Sequence, residues 1–129
     1  MTATRMGTRK QQPFGELIRE KRLAKGYSLR KFAALIGISP TYLSHVEQGK
    51  VDTPPTVERV RKIAELLEEN TDELIAAAGR MPEDLPPIIR RAPAKLPELL
   101  RLAGDMSPEQ LELLLKRLRR KAEREDEGH

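Results

Sequence analysis

Four polar side chains recur at helical spacing in the first half of the chain: Thr41, Ser44, His45 and Gln48. Residues three and four positions apart lie on one face of an α-helix, so these four share a face, while Leu43 and Val46 lie on the opposite one. Hydroxyl, imidazole and amide groups donate and accept hydrogen bonds. The pattern predicts a helix that docks through its apolar side and presents a hydrogen-bonding surface outward.

The chain lacks the residues from which most catalytic and metal sites are built. It has no cysteine, and its two histidines, His45 and His129, are too few to make a metal site by themselves. It also has no phosphate-binding glycine loop and no plausible nucleophilic triad. We therefore expect no enzyme activity, no cofactor and no metal. The absence of cysteine favours a reducing, cytoplasmic setting.

Positive charge is concentrated in the first part of the chain. The net charge is +4, from 24 Lys and Arg against 20 Asp and Glu. Residues 1–55 hold ten basic and four acidic side chains, residues 56–90 five and eight, and residues 91–129 nine and eight. Because Lys and Arg neutralise phosphate charge, this bias makes nucleic acid the first partner to consider.

Capping signals divide residues 13–79 into five short helices. The second to fifth helices each begin after a serine or threonine N-cap: Ser28, Ser39, Thr56 and Thr71. Pro40 follows the second of these caps at the first helical position, where a missing amide proton costs nothing. Only three residues separate the second helix from the third, so the two must meet at a steep angle. These features predict an all-α fold.

The segment from Ser28 to Lys50 resembles the helix-turn-helix of the Cro and C1 repressors, the XRE family of transcriptional regulators. Four features carry the resemblance: Ala33 in the second helix, Gly37 in the turn, the Ser39–Ser44 opening of the third helix, and Glu47–Gly49 at its end. The resemblance implies a five-helix, lambda-repressor-like domain that binds double-stranded DNA in a sequence-specific way. It further implies a dimeric repressor that reads a palindromic operator through a recognition helix at about residues 40–48.

The same resemblance assigns base contacts to the outward positions of the recognition helix: Pro40, Thr41, Ser44 and His45. Pro40 departs from the family pattern because it has no side-chain donor and no amide proton, so Thr41 and His45 must supply most of the direct readout. Leu29 stands where many relatives carry a polar, phosphate-binding residue. We therefore expect phosphate contacts from the polar residues around it and around the recognition helix: Ser28, Arg30, Ser39, Tyr42, Gln48 and Lys50.

Two further assignments concern basic residues outside the recognition helix. Residues 1–12 are polar and without periodicity, so we predict a flexible basic arm there. Its Arg5, Arg9 and Lys10 either remain free or enter an adjacent minor groove. By resemblance, Arg22 in the first helix forms a structural salt bridge with Glu47 at the end of the third.

The remainder of the chain is predicted to be a proline-rich linker at residues 80–95, a helical hairpin at 96–124 and a frayed tail at 125–129. Five of the chain's ten prolines fall within residues 80–97, which excludes a long helix there. The last helix begins at a Ser107–Gln110 capping box. Two short helices cannot form an independent core, so we predict that they pair two copies of the chain. The leucines expected at that interface are Leu99, Leu111, Leu114, Leu115 and Leu118.

Two alternatives stay open for this hairpin. In the first, the hairpin folds back on the DNA-binding domain of its own chain. In the second, it binds a toxin or protease, and the protein is an antitoxin or adaptor whose helix-turn-helix autoregulates its operon. A purified protein that is a dimer favours the homodimeric regulator. A monomer that becomes ordered only with a co-expressed protein favours the antitoxin or adaptor.

Overall fold

A computed structural model describes residues 12–127, and all of the regular structure in this range is α-helical, which confirms the predicted fold class. The predicted arm residues Arg5, Arg9 and Lys10 lie outside the described range. The chain divides into an N-terminal unit that ends at Glu83 and a C-terminal unit that begins at Asp84. The helices are α1 (Phe14–Ala24), α2 (Leu29–Ile36), α3 (Pro40–Glu47), α4 (Val57–Leu67), α5 (Thr71–Ala77), α6 (Leu85–Arg91), α7 (Lys95–Gly104) and α8 (Pro108–Glu127).

Side-chain caps fix the starts of four of the five helices in the N-terminal unit, α2 to α5. Ser28 and Ser39 each accept a hydrogen bond from the backbone amide three residues further on, at 3.0 Å, and Thr56 does the same at 3.3 Å. The prediction that Thr71 caps the next helix is wrong. Asn70 caps α5 through the Glu73 amide at 2.9 Å, because α4 ends at Leu67 and leaves Asn70 available.

One apolar core holds the five helices of the N-terminal unit together. The most extensive contacts are between α4 and α5 and between α3 and both α1 and α2. Gly37 lies in the left-handed region, at φ 92°, and allows the sharp turn from α2 into α3. The buried apolar residues are Ile18, Phe32, Ala33, Ile36, Leu43, Val46, Val60, Ile63, Ala64, Leu67, Leu74, Ile75 and Ala78.

The C-terminal unit is built differently, because none of its described side chains is buried. Its first helix, α6, is only seven residues long and lies within the predicted proline-rich linker. Pro86 and Pro87 are compatible with it because they occupy the first turn, whose amide groups have no partner inside the helix.

The last helix also differs from the prediction at its end. Ser107 and Gln110 cap α8 reciprocally, at 2.8 and 3.1 Å, as predicted. The helix then continues to Glu127, past the predicted start of the frayed tail, because Glu, Lys and Arg are good helix formers. None of the described helices is long and apolar enough to cross a membrane.

Candidate nucleic-acid interface

The recognition helix predicted at residues 40–48 corresponds to α3, and its two faces differ sharply. Leu43, Val46 and Glu47 are buried against the rest of the N-terminal unit. The opposite face bears the four predicted base-contact residues, of which Ser44 is half-buried and the others are exposed: Pro40, Thr41, Ser44 and His45. The structure therefore brings this set together on one outward-facing surface.

Hydrogen bonds define both ends of α3. Ser39 caps the first turn, and at the other end the Lys50 amide donates to the His45 carbonyl at 2.8 Å. Along the outward face, the Gln48 amide nitrogen donates to the Ser44 hydroxyl oxygen at 3.0 Å. The hydroxyl proton of Ser44 and the carbonyl oxygen of Gln48 are not used in that bond. This pair therefore offers an outside molecule two donors, the Ser44 hydroxyl and the second amide proton of Gln48, and one acceptor, the Gln48 carbonyl oxygen.

The residues expected to contact phosphate lie around α3 and at the start of α2. Tyr42 is half-buried and packs against the core, and the others are exposed: Ser28, Arg30, Ser39, Gln48 and Lys50. Ser28 and Ser39 use a hydroxyl oxygen as a cap acceptor, which leaves the hydroxyl proton for a phosphate oxygen. Leu29 packs against the core, so its position contributes to stability and offers no polar contact.

A buried ion pair braces the end of α3 against α1. The Arg22 Nε and Nη2 atoms donate to the two carboxylate oxygens of Glu47 at 2.7 and 3.0 Å. The remaining arm of the guanidinium donates from Nη1 to the Tyr27 carbonyl at 2.9 Å. Both charged side chains are less than a tenth exposed. A bidentate ion pair fixes the relative direction of the two side chains as well as their distance. It therefore helps to set the angle between α3 and α1.

Two residues with structural roles were not singled out from the sequence: Gly15, which lies against the end of α3, and Arg80, which holds the loop before α4. A Cβ atom on Gly15 of α1 would lie 2.8 Å from the Glu47 carbonyl oxygen and closer still to that of Val46, so only glycine lets α1 approach the end of α3. An isolated glycine inside a helical pattern is a usable signal for such close packing. Arg80 donates to the carbonyls of Pro55 and Pro54 at 2.6 and 2.7 Å. No local pattern indicates this contact, because its partners lie about 25 residues away.

The charge distribution on α3 suits an anionic partner. Its single acidic residue, Glu47, points inward to Arg22, so the outward face of the helix carries no carboxylate. Elsewhere on the N-terminal unit, a hydrogen bond from Lys25 and the charge of that lysine lower the pKa of the exposed Glu68. Within residues 12–127, no three His, Asp or Glu side chains gather as a metal site requires.

The five leucines expected at a dimer interface all lie in the C-terminal unit. Leu111 and Leu114 of α8 are half-buried, whereas Leu99 of α7 and Leu115 and Leu118 of α8 are 45–49% exposed. Nearly half of the surface of these three leucines is therefore accessible to another molecule.

Comparison with known proteins finds relatives for a little over half of the chain. A helix-turn-helix family model matches residues 18–74. The chain is 39% identical over 71 residues to the HTH-type transcriptional regulator SlrR of Bacillus subtilis (strain 168), a match that covers 55% of this chain and 46% of that protein. It is 36% identical over 76 residues to the uncharacterized HTH-type transcriptional regulator RghRB of the same organism, covering 57% and 54%. The chain thus spans about half the length of these curated relatives.

Among solved structures, the chain is similar to SinR, which is described as the master regulator for biofilm formation and was crystallised in complex with DNA. The match has 29% sequence identity and a TM-score of 0.43, and it covers 48% of this chain and 97% of that one.

Proposed function

Because residues 18–74 form a helix-turn-helix domain of the XRE family, we propose that this chain is a dimeric repressor that reads a palindromic operator in double-stranded DNA with α3. The family consists of transcription regulators and not of enzymes. The observation that carries the proposal is the outward face of α3, which is polar, mostly exposed and free of carboxylates, while the opposite face of the helix is buried in the core.

In this proposal, side chains of α3 contact the bases, and residues on either side of α3 contact the phosphates. Thr41 and His45 hydrogen-bond to base edges in the major groove, and Pro40 contributes at most an apolar contact with a thymine methyl group. Ser28, Arg30 and Lys50, at the flanks of the motif, hold the phosphate backbone and fix the register of the domain on the duplex. The Arg22–Glu47 pair and Gly15 keep α3 at the angle that the groove requires.

In this proposal, two chains dimerise through their C-terminal units. This unit buries none of its described side chains, so its helices gain their stability from contact with another molecule. A second copy is the occupant we propose for the face formed by Leu99, Leu111, Leu114, Leu115 and Leu118. A palindromic operator presents two equivalent half-sites, and one small helix-turn-helix domain buries too little DNA surface for tight specific binding by itself.

Selection of bound duplexes from a random pool, using the full chain, tests the DNA-reading proposal. The wild-type protein should enrich one palindromic motif. The Thr41→Ala, His45→Ala double variant should bind that motif at least about tenfold more weakly, since a good base contact is worth roughly 1–3 kcal/mol. A control variant, Arg61→Ala with Glu65→Ala, removes two exposed polar side chains of α4 at no change in net charge and should bind normally. Failure to enrich a motif, or equal binding by both variants, would refute the proposal.

Sedimentation of a second pair of variants tests the dimer. Leu114→Asp with Leu118→Asp should yield monomers and weaken operator binding, because charge is introduced into the apolar face. Leu113→Asp makes the same chemical change at one leucine that is 63% exposed and lies on the opposite side of α8 from the proposed interface, so it should leave the dimer intact. Persistent dimers in the first variant would place the interface elsewhere. A monomeric wild-type protein that orders only with a co-expressed partner would support the antitoxin or adaptor.

A further inference from the structure

The long helix α8 carries two opposed faces, of which the proposed dimer uses only one. The leucine face contains Leu111, Leu114, Leu115 and Leu118. On the opposite side, four exposed cations fall within about 100° of the helix circumference at 3.6 residues per turn. These four residues form what we call the basic stripe: Lys116, Arg117, Arg120 and Arg124.

The positive charge of the basic stripe is poorly compensated. No acidic residue occurs between Glu112 and Glu123 in the sequence. Two other cations of α8 are paired, since Arg119 lies 3.8 Å from Glu112 and Lys121 lies 4.0 Å from Glu125. By contrast, Lys116, Arg117 and Arg120 of the stripe form no salt bridge within the part of the chain that the structure describes. The helix thus directs its unpaired charge to one side.

We infer that the basic stripe is a second DNA contact, which binds the phosphate backbone of duplex DNA without regard to sequence. This inference rests on the proposed function, since it assigns a further surface to the same partner. From Lys116 to Arg124 the stripe rises about 12 Å along the helix axis at 1.5 Å per residue. Over such a length, one DNA strand presents about three or four phosphates. Three of the four residues are arginines, whose planar fork matches phosphate oxygens.

A linear row of cations fits duplex DNA better than it fits a membrane surface. An amphipathic helix that lies in a lipid interface inserts its apolar face and places its Lys and Arg beside the headgroups. That arrangement needs the leucines of α8 to be free, whereas in the proposed dimer they are covered. The basic stripe is then the face of α8 that stays accessible. Its contact adds affinity and salt dependence but no base discrimination.

Two double variants of the full chain with equal charge loss test the inference. Lys116→Gln with Arg120→Gln removes one lysine and one arginine from the stripe, and Arg119→Gln with Lys121→Gln removes one of each from the paired positions. Affinity for a duplex without the operator is measured across a salt series. The stripe variant should lower the slope of log affinity against log salt by about 1.8, which corresponds to two phosphate contacts. The control variant should lower this slope by less than half of that amount.

A second stripe variant, Arg117→Gln with Arg124→Gln, should reproduce this loss while circular dichroism and sedimentation match those of the wild-type protein. Both stripe variants should enrich the same operator motif as the wild type. Equal salt slopes for stripe and control variants would overturn the inference. So would loss of binding to phosphatidylserine vesicles with an unchanged duplex slope, which would assign the stripe to a membrane. Failure of the proposed function is recognised separately, because it appears in the wild-type protein as the absence of an enriched motif.

Discussion

The two units of the chain stabilise themselves in opposite ways. The N-terminal unit buries thirteen apolar side chains and one bidentate ion pair among five short helices. The C-terminal unit has three helices in the described range, and none of its described side chains is buried. The N-terminal unit therefore contains the interactions that determine its shape, whereas the C-terminal unit presents surface that another molecule must complete.

Their salt bridges show the same contrast. In the N-terminal unit, Lys21 pairs with Glu69 and Lys25 with Glu68, so residues that are more than forty positions apart join the C-terminal end of α1 to the two residues that follow α4. In the C-terminal unit the described pairs, Arg119–Glu112 and Lys121–Glu125, each lie within α8. Pairs of the first kind help to define how helices are arranged, and pairs of the second kind support only the helix that contains them. This difference predicts which substitutions change tertiary structure.

The largest effect is expected when the buried ion pair is broken. Glu47→Ala leaves the Arg22 guanidinium buried without its counter-charge and should lower the free energy of unfolding by about 3–5 kcal/mol. The matched control, Glu69→Ala, breaks the partly exposed pair with Lys21 and should cost about 0–1 kcal/mol. Urea unfolding followed by circular dichroism measures both values. Losses of equal size would show that the buried brace contributes no more than a surface pair.

Two glycine substitutions should have different effects on stability in the two units. Gly15→Ala places a methyl group against the backbone of Val46 and Glu47 and should destabilise the N-terminal unit by about 1–3 kcal/mol. Gly104→Ala, at the end of α7, meets no described atom within 4 Å and has no positive φ angle. It should therefore be neutral or stabilise by up to about 1 kcal/mol.

Operator affinity extends this test, because displacement of α3 weakens DNA binding even under conditions where Gly15→Ala is fully folded. Thermal unfolding and operator titration of both variants give the comparison. A Gly15→Ala variant with wild-type stability and affinity would mean that α1 and α3 can separate without consequence.

Local patterns in the sequence predicted helix starts well. Ser28, Ser39 and Thr56 cap their helices as predicted, and Ser107 forms a reciprocal capping box with Gln110. A cap depends on groups only three residues apart, so the sequence contains what is needed to recognise it. The cap of α5 was misassigned because Asn70 and Thr71 are both suitable residues. The choice between them depends on where α4 ends, which tertiary packing decides.

Features that join distant parts of the chain were harder to predict. The outward face of α3 follows from the helical period alone, and its contacts with DNA stay a prediction. The pairing of Arg22 with Glu47 was expected only because the motif resembles a known family. Arg80 reaches the carbonyls of Pro54 and Pro55, and backbone carbonyls carry no residue-specific signal that would indicate such a partner. The occupant of the C-terminal leucines depends on a second molecule, which the sequence of one chain does not contain.

The smallest expected effect concerns Lys25 and Glu68, an exposed pair that joins α1 to the residue after α4. The Lys25 ammonium donates to Glu68 at 2.8 Å and lowers the pKa of that carboxyl group. A lowered pKa contributes stability above the ordinary pKa of a glutamate, and this contribution is lost as the pH falls through the lower, folded value. Lys25→Gln should therefore raise the pKa of Glu68 towards its ordinary value, as measured by NMR titration of the carboxyl carbon.

The accompanying loss of stability should be slight at neutral pH and vanish in acid, because protonated Glu68 has no charge for Lys25 to stabilise. Lys121→Gln, which breaks the pair within α8, is the matched control, and it should leave both the Glu68 titration and the unfolding of the N-terminal unit unchanged. A stability difference for Lys25→Gln that persists unchanged below the pKa of Glu68 would show that Lys25 acts through packing of its aliphatic stem. In that case apolar contact, and not the ion pair, would hold α1 against α4. The salt bridges of the two units would then differ in which helices they connect but not in how much they stabilise the protein.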